Sequence, residues 1–261
     1  MSAPVLLERH GDIVRLTLDD PARANALGPA MISGLTAVFR RDWRAEGVRA
    51  LLVAGAGKNF CSGADLEHLR TLADAAPLEH RLDARRLRDL FDAVLHQEAL
   101  TVAAVHGACV AGGCGVATAC DFVLASEDAR FMYSEVRIGF VAALVATFLP
   151  LRVRGSHVRE LLLDPEFVDA RRALEIGLVN RVVPHAELAA AAEALAGDLL
   201  TRASSESIAA TKRLLLATLG RPLAERLDLA AEVNAAARST ADCKRGVAHF
   251  LAHKRTPDWR T

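Results

Sequence analysis

Blocks of apolar residues recur along the first part of the chain with two different spacings. Short apolar runs predict buried strands, and apolar residues three and four positions apart predict helices with one buried face. The runs that predict strands lie at residues 5–7, 13–18, 50–54, 102–105, 122–125, 129–132 and 179–183. Strands that alternate with helices are typical of an α/β core.

Helical spacing is clearest at residues 29–39, where Pro29 suits the first position of a helix and the apolar side chains share one face. Further helices are predicted at residues 87–95, 141–151, 157–163 and 170–176. The polar, charge-mixed segment 67–86 predicts a mobile helical excursion, and the pattern from His185 onward is helical. We therefore predict a core over residues 1–195 and a helical C-terminal region over residues 196–261.

The stretch at residues 102–121 combines a strand, two glycine breaks and a run of small residues. The chain breaks at His106-Gly107 and again at Gly112-Gly113, after which residues 114–120 can continue as a tightly packed helix. The first N–H groups of such a helix have no partner within it. They can hold a phosphate, or an oxygen on which negative charge develops during a reaction.

The composition of the chain argues against several classes of protein. The 261 residues suit one large domain or a domain with a helical appendage, and 52% of them are hydrophobic. The 32 basic and 32 acidic residues balance, which argues against a nucleic-acid or membrane partner. The five cysteines form no Cys-x-x-Cys pair, and neither a leader-like N-terminus nor a membrane-length apolar run is present. We expect a cytoplasmic protein without a metal site.

Several familiar motifs are incomplete. Gly55-Ala56-Gly57-Lys58-Asn59 lacks the spacing and the final hydroxyl residue of a P-loop, and no dinucleotide-binding glycine pattern occurs. Ser62 is not in a nucleophile elbow, so acyl-enzyme chemistry has little support. Two glycine-bearing loops remain, 62–65 and 111–113, each after a predicted strand. Together they could supply two N–H donors to an oxyanion, although the pattern alone favours ordinary strand-to-helix turns.

A set of short motifs changes that balance. They are Asn25-Ala26-Leu27, Phe60-Cys61-Ser62-Gly63-Ala64-Asp65-Leu66, His106-Gly107, Ala111-Gly112-Gly113, Ala119-Cys120-Asp121 and Glu135-Val136-Arg137-Ile138-Gly139, followed by residues 177–183 and 210–212. In order and spacing they resemble the enoyl-CoA hydratase/isomerase (crotonase) family over nearly the whole chain. The resemblance implies an α/β fold, a crotonase-like spiral of ββα units with a C-terminal helical trimerisation region.

The resemblance also implies a substrate and a site. The substrate would be an acyl-CoA thioester, with coenzyme A as part of the substrate rather than a separate cofactor, and the assembly a homotrimer or a hexamer built as a dimer of trimers. The N–H groups of Ala64 and Gly112 would hold the thioester oxygen. Residues implied to bind the CoA moiety are Arg23, Ala24, Ser62, Ala64, Asp65, Leu66 and Lys254. Asp65 has a second interpretation as a helix cap, and Lys254, beside Arg255, as a solvated helix end.

The chain departs from the family pattern at the acid–base residues. Typical hydratases of the family use two glutamates; Glu135 matches one, but Gly115 stands at the position of the other. Ala142-Ala143 also replaces the usual Pro-Gly, and Ala111 replaces the first glycine of a trio. We expect an enoyl-CoA hydratase with Glu135 as its single catalytic glutamate. A Δ3–Δ2 enoyl-CoA isomerase is the alternative, because one carboxylate can take a proton and return it elsewhere. A non-catalytic CoA-thioester-binding homologue stays open.

Other side chains could compensate for the missing carboxylate or shape the acyl pocket. Tyr133 could orient Glu135 or line the pocket, whereas Glu67 and His68 have a simpler interpretation as residues of a solvated helix. The acyl pocket is predicted to involve Leu69, Tyr133, Phe140 and Leu144. An apolar pocket would also raise the pKa of Glu135.

Overall fold

A computed structural model describes residues 4–260 of the chain. Residues 1–3, part of the N-terminus predicted to lack a leader, and Thr261 lie outside the described residues. The strands are β1 (Val5–His10), β2 (Ile13–Leu18), β3 (Ala50–Gly55), β4 (Leu100–Val105), β5 (Ala108–Val110), β6 (Phe122–Ser126), β7 (Arg130–Met132), β8 (Val168–Asp169) and β9 (Arg181–Val183).

Within the described residues these strands form two sheets. The larger has the order β1-β2-β3-β4-β6-β9 and the smaller the order β5-β7-β8. Strands β1 and β2 form an antiparallel hairpin, and every later pairing in the larger sheet is parallel. In the smaller sheet β5 and β7 are parallel, whereas β7 and β8 are antiparallel. The predicted α/β class is confirmed.

Helices cover both sheets and form the C-terminal region. They are α1 (Pro29–Phe39), α2 (Leu66–Thr71), α3 (Pro77–His96), α4 (Gly112–Ala119), α5 (Val145–Phe148), α6 (Gly155–Leu163), α7 (Ala170–Glu175), α8 (Leu188–Arg202), α9 (Ser205–Ala217), α10 (Leu223–Ser239) and α11 (Ala241–His253). No helix within residues 4–260 is both long and apolar enough to cross a bilayer. The cytoplasmic location stays a prediction.

The burial of strand β4 on both faces explains why residues 102–105 are apolar without interruption. All six of its residues are buried, with Ala103 and Val105 packed on the side of α1, α3 and α4. Leu100, Val102 and Ala104 pack on the opposite side, against residues of α8. A parallel strand with both faces covered has no solvated positions, so its sequence does not alternate.

The C-terminal helices are attached to the core by a partly buried ion pair. The Lys212 ammonium of α9 lies 2.6 Å from an Asp121 carboxylate oxygen and donates to the Ala99 carbonyl at 2.8 Å. The same Asp121 oxygen accepts from the backbone N–H of Thr101 at 2.8 Å. The boundary predicted between residues 195 and 196 falls inside α8, which packs on the sheet through Leu195 and Leu200.

Of two local features in the core, one was not predicted from the sequence and the other was predicted as helical. The segment between the two glycine breaks contains strand β5, which pairs with β7 over only three residue pairs and is too short to show a period. The excursion at residues 67–86 is helical, as predicted: it contains α2 and the first half of α3. Glu79 explains the start of α3, because its carboxylate accepts from the Ala76 backbone N–H at 3.0 Å.

Candidate active site

The candidate site lies where β5 and β7 end. Val110 is opposite Met132 in this parallel pair, and the Ala111 N–H donates to the Met132 carbonyl at 2.7 Å. Beyond β5 the chain starts α4 at Gly112, and beyond β7 it starts a 3₁₀ turn at Glu135. Because parallel strands end at the same edge of a sheet, Gly112 and Glu135 are brought to one edge.

The loop that carries Ala64 is held against β5. Cys61 forms an isolated parallel bridge with Cys109, donating to the Ala108 carbonyl at 3.3 Å and accepting from the Val110 N–H at 2.9 Å. The start of α4 packs directly on this loop: a Cβ added to Gly113 would lie 2.7 Å from the Cys61 carbonyl oxygen. The structure therefore brings together the two glycine-bearing loops.

Both predicted oxyanion donors are available. Within residues 4–260, neither the Ala64 N–H nor the Gly112 N–H donates to a protein acceptor. For Gly112 this follows from its place as the first residue of α4. Two N–H groups at adjacent loops can receive an oxygen that gains negative charge.

Glu135 combines burial with an unpaired oxygen. The residue is 9% exposed, and its Oε2 has no hydrogen-bond partner among the described residues. Burial raises the pKa of the Glu135 carboxyl above its ordinary value, as the apolar setting predicted. A carboxyl with a raised pKa and a free oxygen is suited to taking up and returning a proton.

The residues predicted to bind CoA lie on two loops that are tied together, with Lys254 apart from them. The Ser62 N–H donates to the Ala24 carbonyl at 2.9 Å, and Arg23 lies 2.7 Å from an Asp65 carboxylate oxygen. Asp65 also accepts from the N–H groups of residues 67 and 68 at the start of α2, so it is a helix cap as well as the partner of Arg23. Leu66 is exposed, and a groove beside these loops is lined by Arg23, Asp65, the start of α1 and residues of α2.

Three other predicted residues make separate contacts. Lys254 ends α11, and no hydrogen bond or ion pair connects it to these loops in the described part of the chain. Tyr133 is buried in the core, where burial and the nearby Cys114 thiol raise the pKa of its phenol. His68 pairs with Asp83 at 2.9 Å, joining α2 to α3.

Asn25 is an organising residue whose role the sequence did not show. It is fully buried with a φ of 56°, and its side-chain amide donates to the carbonyls of residues 56, 59 and 60. Its Oδ1 accepts from the Asp20 N–H at 2.9 Å. The motif Asn25-Ala26-Leu27 singled out this residue without its role; the physical signal is that asparagine tolerates the left-handed region better than other non-glycine residues.

Ala111 has a backbone conformation that favours glycine, with φ 49° and ψ −121°. Holding a non-glycine residue there costs on the order of 1–3 kcal/mol.

We expect Ala111→Gly to raise the free energy of unfolding by about 1 kcal/mol, measured by urea denaturation, because it relieves this strain. Ala194→Gly makes the same exchange at an exposed position inside α8, where glycine is unfavourable. It should lower the free energy of unfolding by about 1 kcal/mol. Destabilisation by both variants would contradict the assignment of strain at Ala111.

Comparison with known proteins gives a consistent result. Residues 8–261 match the family model described as enoyl-CoA hydratase/isomerase. A Thermus thermophilus protein provisionally named an enoyl-CoA hydratase is 41% identical over 95% of this chain and 97% of its own length. The human mitochondrial Δ(3,5)-Δ(2,4)-dienoyl-CoA isomerase is 31% identical over 90% of this chain and 75% of its own. The structure of Mycobacterium smegmatis enoyl-CoA hydratase aligns with a TM-score of 0.91 at 31% identity, over 99% of both chains, which confirms the crotonase fold.

Proposed function

Because the chain belongs to the enoyl-CoA hydratase/isomerase family, we propose that it converts a Δ3-enoyl-CoA into the conjugated Δ2-enoyl-CoA. The observation that carries this choice is Glu135, a buried carboxylate with an unpaired oxygen at the strand edge shared with Gly112. Position 115, where a typical hydratase of the family has its other glutamate, carries glycine. One carboxylate is enough to move a proton between two carbons.

The proposed reaction has two proton transfers. The Glu135 carboxylate removes a proton from C2 of the thioester, and the electron pair of that C–H bond moves toward the thioester carbonyl to form an enolate. The N–H groups of Ala64 and Gly112 stabilise the enolate oxygen, each contributing roughly 3 kcal/mol. Protonated Glu135 then delivers its proton to C4, the double bond moves to C2–C3, and the carboxylate is regenerated.

Hydration of a Δ2-enoyl-CoA is the second candidate. In that reaction Glu135 would activate a water for attack at C3 and return the water's proton to C2. The provisional name of the 41% identical Thermus relative favours this candidate. It asks one carboxylate to serve both the water and the carbon, which the isomerase reaction does not require.

The test compares two substrates. The purified protein is given 3-hexenoyl-CoA and, separately, crotonyl-CoA, and the products are separated by chromatography. Conjugated 2-hexenoyl-CoA from the first substrate, with little 3-hydroxybutyryl-CoA from the second, is expected. Hydration of crotonyl-CoA without isomerisation would favour the second candidate. Binding of both thioesters without turnover would mean a non-catalytic CoA-thioester-binding protein.

We also propose that the CoA moiety is held by Arg23, Ala24, Ser62, Ala64, Asp65 and Leu66, with Lys254 contacting it from the C-terminal end, and that no separate cofactor takes part.

Assembly as a homotrimer, or as a hexamer of two trimers, would cover large apolar side chains that the C-terminal helices expose. These are Leu215, Leu223, Leu227, Val247, Phe250 and Leu251. Light scattering of the purified protein measures the number of subunits, and a monomeric mass would refute the assembly.

A further inference from the structure

The space beside Gly115 is filled. Gly115 lies on the first turn of α4, three residues after Gly112, so the two residues share a face of the helix. A Cβ added to Gly115 would lie 2.6 Å from Cζ and 2.8 Å from Cε1 of Phe91, and 3.0 Å from Cγ2 of Val145. Even alanine would not fit unless Phe91 moved, and the side chain of a glutamate needs more room than alanine.

Phe91 is held in place by its surroundings. It is 3% exposed in the core between α3 and α4. Its ring packs edge-to-face on Phe148 of α5, with centroids 5.4 Å apart and planes at 62°. Val145, on the same helix as Phe148, is also buried. The ring therefore belongs to a packed apolar wall made by side chains of two helices, and it cannot swing away without disrupting that wall.

This packing distinguishes two explanations for the missing glutamate. If Gly115 were a simple loss from a two-carboxylate site, the volume of the lost side chain would remain as a polar cavity that water could enter. Instead an aromatic ring occupies the volume next to Gly115, one helical turn from the Gly112 donor. A wall made of Phe91, Val145 and Phe148 has no polar group to hold a water molecule.

We propose that Phe91 determines the reaction specificity of the site: by filling the space beside Gly115, it excludes a second carboxylate and the water that such a group would hold. The enolate is then protonated by Glu135 at carbon, and water does not add at C3. This inference rests on the proposed enolate chemistry of Glu135 and goes beyond it, because it names the side chain that separates isomerisation from hydration.

The test measures the ratio of hydrated to isomerised product made from 3-hexenoyl-CoA and the rate of crotonyl-CoA hydration. The main variant is Phe91→Ala combined with Gly115→Glu, which removes the ring and supplies the carboxylate. We expect the ratio to rise at least about tenfold, within the range that a positioned acid–base group contributes. Phe91→Leu alone, a milder change that still frees space beside Gly115, should raise the ratio by a smaller factor.

Two further variants serve as controls. Phe39→Leu makes the same kind of change at a buried position of α1, outside the wall and with Phe91 left over Gly115, so the ratio should match that of the unmodified protein. Gly115→Glu alone should lose activity or stability, because Phe91 still occupies the space, and adding Phe91→Ala should restore folding. Circular dichroism and thermal unfolding report whether each variant is folded.

The outcomes separate this inference from the proposed function. A folded double variant or a folded Phe91→Leu protein that keeps the unmodified ratio would overturn the role of Phe91. If the unmodified protein hydrates crotonyl-CoA readily, both proposals fail, since Phe91 would then not exclude water. If the unmodified protein turns over neither substrate while the double variant hydrates crotonyl-CoA, the proposed isomerase activity fails and the role of Phe91 stands.

Discussion

Replacing Glu135 with glutamine is expected to lower kcat for 3-hexenoyl-CoA by about 10²–10⁴-fold, because the amide cannot take up the C2 proton. The thioester should still bind, since the residues proposed to hold CoA lie on other loops. Steady-state kinetics and calorimetric titration with a CoA thioester measure the two effects. Glu127→Gln, at an exposed turn, is the matched control and should keep full activity. A Glu135→Gln protein with unchanged kcat would remove Glu135 from the mechanism.

The same substitution has a stability effect of known sign. Burial raises the pKa of Glu135 in the folded protein, so the native state binds this proton more tightly than the unfolded state does. The stabilisation that results is complete below the unfolded pKa and is lost as the pH rises through the folded pKa. Above the folded pKa the unmodified protein bears the cost of a buried carboxylate, which glutamine does not carry.

Glu135→Gln should therefore be more stable than the unmodified protein at pH values above the folded pKa, and its advantage should shrink as the pH falls below that pKa. Urea denaturation over a pH series measures the difference. The acidic limb of the kcat profile should lie above the ordinary range of a glutamate and should disappear in the variant. Equal stability of the two proteins at every pH would show that Glu135 is not desolvated.

Much of the fold could be predicted because the relevant signals are local. The β1–β2 hairpin, α1 with its Pro29 start, and the buried strand β4 all appear in the apolar pattern at nearly their observed bounds. Strand β5 could not be predicted, because three residues between two glycine breaks show no period, and its pairing partner β7 is distant in sequence. This short strand nevertheless positions both Gly112 and the loop of Cys61.

The candidate site could also be predicted only in part. From periodicity and spacing alone, the loops at residues 62–65 and 111–113 could be ordinary turns. The roles predicted for Ala64, Gly112 and Glu135 came from the family resemblance. Phe91 could not be singled out, because in α3 it is one of several apolar residues at helical spacing, typical of a core face. Its importance depends on its contact with Gly115, 24 positions away in sequence.

The second large effect is expected at Gly113, which packs against Cys61 in the loop that carries Ala64. An added Cβ would lie 2.7 Å from the Cys61 carbonyl oxygen, 2.8 Å from its Cβ and 2.9 Å from its Sγ. These atoms cannot easily move aside: the carbonyl accepts from the Val110 N–H at 2.9 Å, and the buried thiol lies 3.0 Å from the Asn25 carbonyl oxygen. Gly113→Ala must therefore push the start of α4 away from the loop that carries Ala64.

Because that shift separates the two proposed donors, Gly113→Ala should lower kcat/KM by about 10²–10³-fold, the usual effect of losing one oxyanion donor. Overpacking should also lower the free energy of unfolding by about 1–3 kcal/mol, measured by urea denaturation.

Gly197→Ala is the matched control. In α8 the added Cβ meets only the end of the flexible Arg260 side chain, at 3.1 Å, and helix propensity favours alanine. A stable Gly113→Ala protein with unchanged kcat/KM would mean that catalysis does not depend on the spacing between these loops. Loss of kcat/KM in the still-folded variant, with Gly197→Ala unaffected, is the result expected if both N–H groups hold one oxygen.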